Sequence, residues 1–188
     1  MIKNKSIRVF LSRPNPFTEN QKYFIEFLKK ELLKQDIETI TLVAKDYSPY
    51  ESLTILNEMI KRSYGMIILA FGHTFIENGT YKKGAENNIE FFEANEEPVI
   101  GKWITSSFCQ IEGAMAISNN IPIMVIKQEN LKIDGILKRD KKISSAPDFS
   151  LCSKEDIDYY IQNNLRTEIK KWRRSLNIMF DRVESKII

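Results

Sequence analysis

The chain has 188 residues, 43% of them hydrophobic, with 28 basic and 25 acidic side chains for a formal net charge of +3. That is enough to bury one sizeable core, and the near balance of charge gives no reason to expect nucleic acid as the main partner. The longest unbroken apolar run, Met66 to Phe71, is far short of the roughly 20 residues a membrane-crossing helix requires, and Ile7 to Leu11, interrupted by Arg8, is too short for an export signal. A cytoplasmic protein with no membrane partner is expected, its two cysteines, Cys109 and Cys152, remaining free thiols.

In chain order, Ile7-Arg8-Val9-Phe10-Leu11 is a β-rich run stopped by Arg13-Pro14-Asn15-Pro16, and reads as a first strand. Thr18 stands three residues before Gln21 at capping-box spacing, and Phe24, Phe27, Leu28 and Leu32 recur on one face of a helix reaching about Lys34. Ile37 to Val43 alternates as a second strand. Ser48-Pro49-Tyr50-Glu51 combines a cap, a first-turn proline and an acidic third position, so a second helix follows with Leu53, Leu56, Met59 and Ile60. Met66 to Phe71 is apolar at every position, as a central parallel strand covered on both faces requires.

Between Gly72 and Lys102 the pattern lapses into a polar stretch longer than a compact domain usually tolerates, so 72–102 is read as an insertion or lid. Ser107 to Asn119 forms a helix, Ile121 to Ile126 a fourth strand with Pro122 confined to its start, and Phe149 to Leu151 a weak fifth. From Ser153 onward Ile157, Ile161, Leu165, Trp172, Leu176 and Val183 keep a helical spacing. The chain thus divides into an α/β domain, 1–152, and a C-terminal helical extension, 153–188, packed on it. Strands alternating with helices imply a mostly parallel sheet wrapped on both sides. The acidic run Glu86, Glu90, Glu93, Glu96 and Glu97 and the basic groups Lys138 to Lys142 and Lys170 to Arg174 read as solvated surface.

The sharpest feature is a carboxylate that stands alone. From Trp103 to Ile126 the only charge is Glu112, so its helix is expected to be mostly buried, and a buried charge without a partner is costly. The neighbours three and four positions away, Phe108, Cys109, Met115 and Ala116, cannot pair with it. The partner is then a cation such as Arg13, Lys102 or Lys127, a loop that the glutamate caps, or a substrate whose reacting carbon turns positive. The last fits cleavage of an N-glycosidic bond, where a fixed carboxylate stabilises or traps an oxocarbenium-like ribosyl group.

Ligands of open parallel sheets lie beyond the carboxyl ends of the strands where strand order reverses, here between strands one and three. The loops at that edge offer Ser12 and Arg13, and Gly72 and His73. Arg13 presents a donor fork suited to phosphate, Ser12 a hydroxyl for a ribose or phosphate oxygen, and Trp103 and Phe108 rings that stack on a base or else pack in the core. His73 has no carboxylate or cysteine cluster near it, so no metal site is expected.

Val9-Phe10-Leu11-Ser12 and Ser106-Ser107-Phe108-Cys109-Gln110-Ile111-Glu112 resemble TIR domains, whose opening strand commonly ends in Phe-x-Ser and whose third helix bears Ser-x-Trp-Cys-x-x-Glu; here Phe108 stands for the tryptophan. The resemblance covers roughly residues 6–130. It implies a flavodoxin-like open sheet of about five parallel strands, with Glu112 as the catalytic residue and Ser106 and Phe108 beside the substrate. It also implies NAD cleaved or cyclised as a substrate, with no cofactor, by a homo-oligomer. In bacterial members the activity serves antiphage signalling, a nucleotide product reaching a downstream effector protein. Ile111-Glu112-Gly113-Ala114-Met115-Ala116 followed by Ile121-Pro122-Ile123 resembles nucleoside 2-deoxyribosyltransferases, which also set a glutamate against a glycosidic bond. That family's glycine-containing first turn and its aspartate-glycine pair after strand three are absent. A non-catalytic module that binds a nucleotide signal or another TIR-like domain is the third reading.

Overall fold

The computed structural model describes residues 6–42, 52–86, 95–138 and 143–185. Val43, the Ser48 to Glu51 cap, Glu90, Glu93 and the far part of Lys138 to Lys142 lie outside the described residues. The elements run β1 (Ile7–Ser12), α1 (Glu19–Leu33), β2 (Ile37–Ile40), α2 (Ser52–Lys61), β3 (Gly65–Ala70), the short β4 (Thr74–Ile76), β5 (Thr80–Tyr81), β6 (Glu97–Pro98) and β7 (Lys102–Ile104), then α3 (Ser107–Ser118), β8 (Ile123–Lys127), β9 (Ile143–Ser145), α4 (Lys154–Tyr159) and, beyond a π-helical turn at Tyr160–Leu165, α5 (Arg166–Glu184). No helix among the described residues is long and apolar enough to cross a membrane.

Five strands pair in parallel in the order β2-β1-β3-β8-β9, the flavodoxin-like order. All six residues of β3 are buried, because successive side chains leave a strand on opposite faces and both faces are covered. Ile67, Leu69 and Phe71 join α1 and the terminal helices in one core; Met66, Ile68 and Ala70 join α2 and α3 in the other. Thr18 caps α1 as expected, Gln21 N donating to Thr18 Oγ1 at 3.2 Å, while the return bond of Gln21 Oε1 goes one residue further back, accepting from Phe17 N at 2.9 Å. The terminal helices seal the back of the sheet so closely that a Cβ on Gly65 would stand 2.3 Å from Leu176 Cδ2. Arg166 locks them to α1, donating through Nε (2.6 Å) and Nη2 (3.1 Å) to the buried carboxylate of Glu31 in a bidentate pair.

Two expectations are corrected, and the insertion gains internal order. The fifth strand is Ile143–Ser145, with Ile143 opposite Ile123. The segment Phe149 to Leu151 contributes only a single bridge, to Gln128, because Phe149 is drawn into the core, its ring centroid 4.3 Å from Phe24 and 5.8 Å from Phe71. Within the stretch read as an insertion or lid, β4 pairs antiparallel with β7, and β5 with β6. Backbone bonds pin the base of this nested ribbon to the loop after β8, with Trp103 N donating to Asn130 O (3.0 Å) and Lys132 N to Trp103 O (2.7 Å). Finally, α3 is not mostly buried. Its inner face packs on the sheet, but Phe108, Ile111 and Ile117 are 42%, 41% and 48% exposed, since α3 has apolar residues all round and a sheet can cover only one side.

Candidate active site

The site is built where the end of β1 meets the first turns of α3. Ser106 caps that helix, its Oγ accepting from Phe108 N at 3.2 Å. Gln110 ties the helix to the loop after β8, accepting from Ile136 N at 2.8 Å and donating to Asp134 O at 3.3 Å. Gly113 lets the helix close on its neighbours: a Cβ there would stand 2.6 Å from Ile136 Cγ1 and 3.0 Å from Ile68 Cδ1. Between these two anchors sits Glu112, on the inner face and 5% exposed.

Ser12 and Cys109 lie against Glu112, and Thr105 lies against Cys109; all are buried. The Cys109 thiol lies against both hydroxyls and feels the Glu112 carboxylate; burial pushes its pKa to about 11, so it stays protonated and is no nucleophile. Burial likewise pushes Glu112 up to about 7, opposed only by the Ser12 hydroxyl beside it. That hydroxyl faces the carboxylate without a well-formed hydrogen bond: both Ser12 Oγ and Thr105 Oγ1 are buried with no partner. Among the described residues, no cation is paired with the carboxylate. Lys127 pairs with Asp148, Lys102 is exposed on β7, and Arg13 donates to its neighbour Pro14 O at 3.0 Å. The ion-paired reading of Glu112 is therefore not realised among the described residues. Arg13 is itself a half-buried cation whose Nε has no acceptor, its pKa lowered by burial.

A second cluster forms across the sheet's carboxyl edge. Gly72 is buried, donates its N–H to Gln128 Oε1 at 3.0 Å, and lies under the Trp103 indole so closely that a Cβ would stand 2.5 Å from Cδ2. Trp103 also packs on Phe75, with ring centroids 4.9 Å apart. Gly72, Trp103, Phe17, Asn20 and Gln128 line a cavity of about 430 Å³. A cavity of about 520 Å³ lined by Ile117, Ile121, Ile143 and Met179 lies at the opposite, amino edge of β8 and β9, away from Glu112.

Of the residues singled out in the sequence, the structure brings Ser12 to Glu112 and Gly72 to Trp103. Ser106 is engaged as a cap, Phe108 lies exposed on the first turn of α3, and His73 is exposed with its N–H donated to Ile104 O at 2.8 Å. No hydrogen bond or ion pair joins Arg13 or His73 to Glu112. Sequence reasoning missed Thr105, a hydroxyl one residue before the cap, and Gln128, which crosses from β8 to hold Gly72. The one signal for Thr105 was its place inside the uncharged stretch around Glu112.

No family model and no curated protein matches the chain, so its likeness to TIR domains remains one of short motifs. Among solved structures it is similar to the CMP N-glycosidase BcmB of Clostridium botulinum, at 16% identity and a TM-score of 0.47, over 82% of this chain and 94% of that one. It is also similar to a conserved protein of Enterococcus faecalis V583, at 12% identity and a TM-score of 0.45, over 88% and 98%. Both TM-scores lie under 0.5, and neither neighbour assigns a family.

Proposed function

We propose that the chain is an N-glycosidase of nucleosides or nucleotides, with Glu112 facing the anomeric carbon. One observation carries this reading: a buried carboxylate with no cation partner among the described residues stands beside the buried Ser12 hydroxyl, and across the Cys109 thiol lies the buried Thr105 hydroxyl, neither hydroxyl having a hydrogen-bond partner. Buried polar groups left unsatisfied in a native fold call for a ligand or water. A sugar ring meets all three needs at once. Its oxygens bond Ser12 and Thr105, and its anomeric carbon supplies positive charge as the C–N bond breaks. With one carboxylate in the cluster, the covalent route is favoured. A Glu112 oxygen bonds C1′ while the C1′–N electron pair leaves on the base, which takes a proton from solvent; water then displaces the carboxylate and releases a proton.

The substrate panel is NAD, CMP and the common nucleosides and deoxynucleosides, with base release followed by liquid chromatography. NAD is the substrate that the TIR-like motifs imply, and CMP is the one in the clostridial neighbour's name. Release from at least one substrate is expected, and Glu112→Gln lowers it by about 10³-fold or more. Wild-type rates in Glu112→Gln would remove Glu112 from the chemistry, and no release from any substrate would remove the N-glycosidase reading.

A further inference from the structure

The cavity of about 430 Å³ under Trp103 is lined by two side-chain amides, Gln128 just beyond β8 and Asn20 in the first turn of α1. Each is already oriented by the backbone. Gln128 Oε1 accepts from Gly72 N at 3.0 Å, and Asn20 Nδ2 donates to Leu151 O at 2.7 Å. A backbone N–H only donates and a carbonyl only accepts, so neither amide can turn over without losing its bond. What remains is one donor, Gln128 Nε2, and one acceptor, Asn20 Oδ1, neither with a partner among the described residues. Phe17 and Trp103 supply aromatic walls, and the indole is held in place over Gly72 and against Phe75. Aromatic walls suit the face of a flat ring, and a fixed donor and acceptor suit its edge. The cavity lies at the carboxyl edge of β3 and β8, where open parallel sheets bind ligands. Trp103 stands two residues before Thr105, so their Cα atoms are at most about 7 Å apart.

We propose that this cavity binds a planar nitrogen heterocycle whose edge carries both a hydrogen-bond acceptor and an N–H donor, read by Gln128 Nε2 and Asn20 Oδ1. That the ring is the leaving base rests on the N-glycosidase reading; the binding does not. The chain has two tryptophans, Trp103 and the buried Trp172, so their indole N–H signals in a ¹H–¹⁵N spectrum, assigned with Trp103→Phe, report the site and a control. Titration with nicotinamide and with cytosine is expected to move the Trp103 signal for at least one of them and to leave Trp172 in place. Pyridine, which lacks the carboxamide of nicotinamide, and 2-pyrimidinone, which lacks the amino group of cytosine, should bind about 10-fold more weakly or worse than the base each is derived from. Gln128→Glu keeps an oxygen for the Gly72 N–H and replaces the free donor by a second oxygen, and should weaken the base by a similar factor, with thermal denaturation confirming the fold. Should that variant not fold, the trimmed rings decide on the wild type. No movement of the Trp103 signal with either base overturns the proposal, and so does undiminished affinity for the trimmed ring or, in folded Gln128→Glu, for the base. Binding at Trp103 without base release from any substrate would remove the N-glycosidase reading and leave this site standing.

Discussion

Replacing Glu112 by glutamine stabilises the protein while removing its proposed chemistry, and the gain depends on pH. Burial raises the carboxyl pKa from 4.5 to about 7. The folded state therefore holds a proton that the unfolded chain releases between those values, and the wild type loses stability as pH rises through that window. At about 1.4 kcal/mol for each pH unit, the ionised carboxylate costs about 3 kcal/mol above pH 7, an upper bound because the cluster relaxes around it. Glutamine fills the same space, its amide is placed to donate to the unpartnered hydroxyl of Ser12, and it never ionises. Urea denaturation of both proteins at pH 5 and pH 8.5 measures the difference. Glu112→Gln is expected to gain up to about 3 kcal/mol at pH 8.5, or roughly 6–12 °C in Tm for a chain of this size, and close to nothing at pH 5. An equal difference at the two pH values refutes the reasoning, because the carboxylate would then not be desolvated.

Because the ionised form is the nucleophile, kcat/KM for base release rises with pH through about 7 and then levels. Removing the hydroxyl that holds the Glu112 pKa down shifts that rise to higher pH in Ser12→Ala; an unshifted pH–rate profile excludes their coupling. Gly113→Ala drives a methyl toward Ile136 and Ile68. It costs about 1–3 kcal/mol of overpacking against roughly 1 kcal/mol of helix propensity gained, so urea denaturation should show a net loss. Gly72→Ala displaces the Trp103 indole and increases acrylamide quenching of tryptophan fluorescence, with the buried Trp172 as constant background.

Much of the fold was legible because its signals are local. An all-apolar run such as Met66 to Phe71 fits only a strand covered on both faces, and the Thr18–Gln21 spacing fixes a helix start whatever surrounds it. The misses are the elements decided by distant contacts. Ile143–Ser145 is too short and polar to announce an edge strand, and it pairs because β8 offers it an open side. Phe149 looks like a strand residue, but its ring is claimed by Phe24 and Phe71. The same division runs through the site. Glu112 stood out by composition, and Ser12 by its place at the end of the first strand. Thr105 had no pattern of its own, because its importance comes from the thiol of Cys109 one helical turn away. The lack of charge around Glu112 points to burial, yet composition cannot distinguish a face covered by the chain's own sheet from one left bare.

The π-helical turn at Tyr160–Leu165 sets the phase of the chain's last helix. Its i→i+5 bonds take up one residue more than an α-turn. At its start, Tyr160 faces the Phe24–Phe149 cluster; after it, Trp172 and Leu176 face Gly65. An α-helix turns by about 100° per residue, so losing that extra residue would rotate the whole of α5 like a screw advanced out of register. The Arg166 fork would swing away from Glu31, and charged positions would turn toward the sheet. The number of residues here is thus fixed by angle, and a single deletion between 160 and 165 is a heavier lesion than most substitutions in the same helix.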